Sequence, residues 1–435
     1  MTGTLTQKKI LIFWLPLAAT WLMMAFEGPF LAAIIARMAD AKYNLAAYGV
    51  AYSFALLSEA PVIMMMATST ALAKNYKSYL KLRTFNNYLI IFVTVALSVS
   101  LIPPLFNFIV LTIMNLSENI AHLIQISLLI LLPWPGAISY RRFLQGILIS
   151  NNKTRMVSYG TVIRLLSMSA TALALYFFSN VPGAYVGAAS LSVGVVMEAL
   201  ASHIMARGLL KRLKETDNEE SVTDLNLKNI FNFYYPLALA AFIGFGAHPM
   251  ISFFIGHSRM ALESLAVLPV INALIFIFRS IGLSYQEVNI ALIGNNNEGY
   301  PQLKKFALRL GLTIFTVLGF VLYSPLSEFW FKTVSGLPDT LAAIAQLPAQ
   351  LLVIIPSLTV LIVFQRAIQV VYKKTKVISQ ATSIEVSIIA LVLFILIYYV
   401  DMTGILATSL ALVTGRICSN TFLYFQNRKV LLSVK

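Results

Sequence analysis

Long apolar stretches separated by short polar segments run the length of the chain, and twelve of them reach the roughly twenty residues a helix needs to cross about 30 Å of hydrocarbon. They lie near 10–36, 45–73, 85–113, 120–150, 156–180, 183–210, 229–256, 262–293, 306–326, 341–372, 377–400 and 402–427. At that depth backbone amides can bond only within their own segment, so the pattern predicts an all-α membrane protein with glycine and proline at kinks and close helix contacts. The one long polar segment, 211–228, carries Glu215, Asp217, Glu219, Glu220 and Asp224 and reads as a solvated linker. It separates 1–210 from 229–435, with six stretches on either side.

The two halves repeat one another. Phe13-Trp14-Leu15-Pro16-Leu17-Ala18 returns 220 positions later as Phe233-Tyr234-Tyr235-Pro236-Leu237-Ala238, and Pro29 returns as Pro249. Further on, Arg142-Phe143-Leu144-Gln145 matches Arg366-Ala367-Ile368-Gln369, and Gly194 matches Gly415. With an even number of spans per half, both enter the bilayer from the same side, so the repeats are parallel and related by an axis along the membrane normal. The expected architecture is two six-helix lobes around a central cleft, as one monomer; a site between similar halves suits transport by alternating access.

Composition strengthens the membrane reading: mean hydropathy is +0.81, and 11% of residues are charged where a soluble domain has about 25%. Assigning loops alternately to two sides puts twenty-one Lys and Arg on one side, among them Lys74, Lys153, Arg212 and Lys373, against Arg37, Lys42, Arg259 and Lys332 on the other. Both termini are then expected in the cytoplasm, the membrane being a cell or bacterial inner membrane. The net charge of +15 is mostly this bias, with no basic, aromatic-interleaved surface for nucleic acid. Lys8 and Lys9 precede an apolar run too long for a cleaved signal.

Catalytic chemistry finds little support. Cys418 is alone, and His122, His203, His248 and His257 lack metal-ligand spacing. No phosphate loop, nucleophile elbow or kinase motif is present, so no catalytic residue, metal or cofactor is expected and transport must run on ion or substrate gradients.

Charge within the spans is the informative remainder: Arg141, Arg142, Arg164, Arg279, Arg309, Arg366 and Arg416 against Glu27, Glu59, Glu198, Glu287 and Glu385. Each costs about 2.5–3.5 kcal/mol at a helix centre and so turns toward a partner or cavity. Arg309 and Arg366 can snorkel to the interface, whereas Arg279, Glu59, Arg164 and Glu27 lie deep. Asn272, Arg279, Gly282 and Gln286 form one helical stripe, and Gly160, Thr161, Arg164, Ser167 and Thr171 another. Glu198 joins Gly194 and Ser202 on a third. The repeat places Glu59 opposite Arg279 and Arg164 opposite Glu385, pairs that could meet across the cleft as gates. The competing reading is a static bond for each charge within its own lobe.

The proline-containing openings of both halves, the twelve-span duplication and Arg142-Phe143-Leu144-Gln145-Gly146 resemble the multidrug/oligosaccharidyl-lipid/polysaccharide (MOP) exporter superfamily, which includes the multidrug and toxic compound extrusion (MATE) proteins. Tyr48-Gly49-Val50-Ala51-Tyr52-Ser53 and Tyr235-Pro236-Leu237-Ala238-Leu239 are most similar to the progressive ankylosis proteins, although His248-Pro249 stands where that branch has arginine before proline. The superfamily implies secondary active export, and the branch implies organic anions. Seven bases against five acids in the spans also favour an anion, since the guanidinium fork suits carboxylate or phosphate. Arg279, Arg164, Arg142, Arg366, Gln286 and Asn272 are therefore the candidate substrate ligands. Glu27, which resembles the acidic position of MATE proteins in the first helix, joins Glu59 and Glu198 as candidates for coupling to H+ or Na+. The expected function is export of small organic anions by antiport; the alternatives are a cation-coupled multidrug exporter and a lipid-linked pyrophosphate flippase or membrane enzyme.

Overall fold

The computed structural model describes residues 5–35, 37–113, 118–215, 225–294 and 297–432. Among them no strand forms, and twelve long helices carry the chain. In order they are α1 (Gln7–Ile35), α2 (41–72), α3 (Tyr76–Ser100), α4 (Glu118–Ser150), α5 (Thr154–Phe178), α6 (Gly183–Glu215), α7 (Leu227–Gly256), α8 (261–292), α9 (Tyr300–Tyr323), α10 (Asp339–Val371), α11 (Lys376–Tyr398) and α12 (Gly404–Leu432). Ten are apolar enough to cross a membrane by length and composition. The other two, α2 and α12, match them in length but carry polar residues that are buried, such as Asn44 and Thr68 in α2 and Ser409 and Asn420 in α12. These side chains face the protein interior.

Proline sets most of the breaks. Pro29 has no N–H and its ring crowds the carbonyl of Ala25, so α1 interrupts at Phe26 and resumes at Glu27. Pro133 and Pro135 break α4 at 131–133, and Pro356 follows a 3-10 turn at Leu352–Ile354 in α10. α6 runs on to Glu215, past the expected end at 210, with Arg212 and Lys214 in its last turn, where cations suit the helix dipole. Asp217, Glu219, Glu220 and Asp224 of the expected linker lie outside the described residues.

The duplication recurs as geometry. The Asn44 side chain accepts a hydrogen bond from the Ala184 amide (3.0 Å), and Ser264, 220 positions on, accepts one from the Ile405 amide (3.1 Å). Each half holds a six-residue π-helix, Phe108–Ile113 and Phe329–Val334. A Cβ on Gly194 would meet the Arg164 carbonyl oxygen at 3.2 Å, and one on Gly415 the Glu385 carbonyl oxygen at 2.8 Å, so only glycine lets α6 press on α5 and α12 on α11. In one helix pair the sequence match misleads. The second segments of α4 and α10 begin at Trp134 and Ile355 and end at Ser150 and Val371, an offset of 221 rather than 224. Arg366 is thus the counterpart of Gln145, and Arg142 that of Val363; a slip of three residues is nearly one helical turn and keeps the same face, which is why the two motifs look aligned.

The compact units are Met23–Ala238 and a second formed by Met1–Leu22 with Leu239–Lys435. They part inside α1 and inside α7 rather than at 211–228, so the first helix of each half begins with the other half's helices. Reciprocal aromatic anchors explain this. Trp14 Nε1 donates to Ser284 Oγ (2.8 Å) and its ring meets Phe306 edge-on at 5.6 Å. Tyr234, the counterpart of Trp14, donates its hydroxyl to the Pro61 carbonyl and meets Phe85 edge-on at 5.2 Å. Each unit has its own apolar core, around Leu31, Ala55 and Trp134 in one and Ile271, Leu318 and Phe331 in the other.

Candidate functional site

In the unit Met23–Ala238 the intramembrane charges converge and balance. Arg164 of α5 sits between two carboxylates, 2.5 Å from Glu27 of α1 and 3.6 Å from Glu198 of α6, with its guanidinium 5.5 Å from the Trp134 ring centroid. Glu198 is fully buried and also accepts from Arg141 (3.0 Å), Gln145 (3.0 Å) and Thr161 (3.2 Å). Arg141 and Gln145 are one helical turn apart on α4 and so present the same face to Glu198. Arg142, turned by one residue, lies 3.6 Å from Glu59 of α2. Three arginines thus answer three glutamates, all nearly sealed from solvent, an arrangement whose desolvation cost is offset only while every partner stays in place.

The other unit reuses the positions with different charges. Arg279 of α8 replaces Glu59, and Glu385 of α11 replaces Arg164. Glu385 pairs with Arg416 of α12 (2.8 Å), which also donates to Thr359 (3.3 Å). The α5–α6 ion pair and the α11–α12 ion pair therefore have opposite polarity. Arg366 donates to Thr382 (2.9 Å). Arg279 has no ion pair or hydrogen bond among the described residues, and the Nε atoms of both Arg279 and Arg366 are buried without a partner. Arg279, Arg366 and Arg416 all lie within electrostatic range of Glu385 or of one another, and His248 of α7 feels the charge of Arg279. Of these three arginines only Arg416 is in an ion pair among the described residues, and all three are half-buried where those of the first unit are sealed.

The expected gate pairs thus find other partners: Glu59 meets Arg142, Arg164 meets Glu27 and Glu198, and Glu385 meets Arg416, each within its own unit. Equivalence under the repeat identifies positions, whereas pairing needs distances of a few ångströms. The stripe through Asn272, Arg279 and Gln286 is also interrupted, because α8 breaks at Ser284; Asn272 and Gln286 are half-buried on either side of the break. Arg141, Gln145 and Arg416 stood outside the expected ligand set. The i, i+4 spacing of the first two was the available signal.

No family model matches the chain, and no curated protein is significantly similar to it. Solved structures are. An outward-facing multidrug resistance MATE family transporter of the MOP superfamily aligns at TM-score 0.73 and 14% identity, over 100% of this chain and 97% of its own. A eukaryotic MATE transporter aligns at 0.76 and 14%, over 98% of both chains. A MOP superfamily transporter from Pyrococcus furiosus, described by a reversed polarity of its binding pocket that suggests a different function, aligns at 0.76 and 13%, over 99% and 97%. The chain has the MATE fold. That fold is a twelve-helix, two-lobe membrane architecture, and the duplication, the helix breaks and the buried charges described above sit on it end to end.

Proposed function

We propose that the chain is a secondary active exporter of the multidrug type, coupled to H+ or Na+, with Glu27 as the coupling carboxylate. The reading is supported by the MATE fold over the whole chain together with one local observation. Glu27 stands where α1 breaks, its Oε2 is held by Arg164, and its Oε1 is buried with no partner. A proton or small cation reaching Oε1 weakens the hold on Arg164, which keeps Glu198 as its second carboxylate. Ion binding is thereby linked to the packing of α1 on α5, the kind of differential contact that coupling requires. Glu59 and Glu198 have fixed cationic partners and act as counter-ions. The test is ethidium efflux from proteoliposomes driven by an imposed proton or sodium gradient, expected in the parent protein and lost in Glu27→Gln; efflux that persists unchanged in Glu27→Gln removes Glu27 from the mechanism.

A second reading, export of small organic anions, is favoured by the excess positive charge around Arg279 and by the resemblance to the progressive ankylosis proteins. In it Arg279 and Arg366 hold a carboxylate or phosphate, with Gln286 and Asn272 nearby on α8. Uptake of labelled citrate or nucleotide into proteoliposomes, abolished by Arg279→Ala, would promote this reading over the first. No flux of either kind would return the lipid-linked pyrophosphate flippase to consideration.

A further inference from the structure

A groove of about 630 Å3 opens between α9, α10 and α12, within one unit and with none of Arg279, Arg366 and Arg416 in its lining. Its floor and walls are apolar over most of their length, with Leu308, Leu312 and Phe315 of α9 facing Leu358 and Leu361 of α10. Along α9 it runs from Tyr300 to Phe315, about 22 Å at 1.5 Å per residue. That is about the depth of one leaflet's hydrocarbon plus a headgroup. At one end stand two exposed cations, Lys304 and Arg428. Neither has an ion pair among the described residues, and no acidic residue lines the groove.

Two of the wall's polar side chains are bonded within the protein. Ser357 donates to the Gly311 carbonyl (2.7 Å), and Asn427 donates to the Gln365 carbonyl (3.2 Å) while accepting from Gln369 (2.7 Å). One acceptor lining the groove is left over, the buried Gln365 Oε1.

The other half of the molecule supplies a comparison. Lys304 and Arg428 correspond to Arg83 and Arg207, and the Tyr300–Phe364 ring pair (5.7 Å) to Tyr79–Phe143 (5.6 Å). Between those cations the first half places Tyr140 and His203, hydrogen-bonded at 2.6 Å and stacked at 6.0 Å, which tie α4 to α6. At the same positions the second half has Leu361 and Tyr424, which share no hydrogen bond and line the groove instead. The basic pair is duplicated; the side-chain bridge between the helices is not.

We infer that this groove is a binding site for an anionic phospholipid, with the phosphate between Lys304 and Arg428 and an acyl chain along Leu308, Leu312 and Leu361. Charge complementarity selects the headgroup and the leaflet-deep apolar walls select the chain. The inference is independent of what the protein transports.

The test uses the delipidated full-length protein in detergent, titrated separately with dipalmitoyl phosphatidylglycerol and dipalmitoyl phosphatidylethanolamine, bound lipid being counted by native mass spectrometry. The parent protein is expected to prefer phosphatidylglycerol about thirtyfold, the factor two interfacial cations convey. Lys304→Ala with Arg428→Ala, both exposed and outside the core, should bring the two lipids to equal affinity. Leu361→Trp fills the groove while leaving the cations and should lower binding of both lipids. The site is overturned if the parent shows no preference, if the double variant keeps it, if Leu361→Trp binds as the parent does, or if soluble glycerol phosphate displaces the lipid at equal concentration.

Discussion

Replacing Glu198 by leucine should destabilise the protein by about 3–5 kcal/mol, the cost of leaving a buried cation without its partner. The magnitude follows from what Glu198 serves. It is fully buried, and it is the sole carboxylate that Arg141, itself 3% exposed, meets at ion-pair distance among the described residues. Arg164 loses less, because Glu27 remains 2.5 Å away. Gln145 and Thr161 each lose an acceptor as well, though Thr161 can still donate to the Val157 carbonyl at 3.4 Å. Arg141→Leu alone should be milder, since Glu198 keeps Arg164 and two neutral donors. The double variant Glu198→Leu/Arg141→Leu removes both charges together and should lie within about 2 kcal/mol of the parent, because an apolar pair of similar volume often matches a buried ion pair. Reversible unfolding by SDS in mixed micelles, followed by tryptophan fluorescence, gives the four free energies of the cycle. The reasoning fails if the double variant is as unstable as the sum of the singles, for then the two residues are not coupled.

Other consequences are as direct. Arg142→Met should cost about 3–5 kcal/mol by stranding Glu59, whereas Arg279→Met, which removes a cation with no ion pair among the described residues, should stay within about 1 kcal/mol of the parent in the same SDS assay. Tyr234→Phe keeps the ring on Phe85 and removes only the donor to the Pro61 carbonyl, so a loss of about 1 kcal/mol is expected in that assay. Gly146→Ala should abolish the folded monodisperse peak in size-exclusion chromatography, because its Cβ would overlap the Ser69 hydroxyl and the Met66 carbonyl oxygen; Gly28→Ala, with nothing within 4 Å of the added Cβ, should elute as the parent does.

The helices and their duplication were legible in the sequence because both rest on short-range rules: apolar length sets a span, a proline four residues past a carbonyl breaks it, and a copied gene leaves a constant offset. Even there, the match of Arg142 to Arg366 was wrong by three residues, since nearly a full helical turn preserves the pattern that sequence comparison reads. Much of the site was legible as well. Glu27, Glu59, Arg164 and Glu198 stood out as deep charges, and Arg279 as the charge on the longest stripe. Their partners did not, because Arg164 and Glu27 are 137 residues apart in the chain and an ion pair is decided within a few ångströms by how helices pack. Only the tertiary structure could show that the intramembrane arginines of one half are neutralised and sealed while Arg279 and Arg366 of the other are half-buried with no ion pair among the described residues, and that α1 and α7 each begin among the other half's helices. Hydrophobicity is a property of segments and survives in a string of letters; electrostatic compensation is a property of neighbours in space.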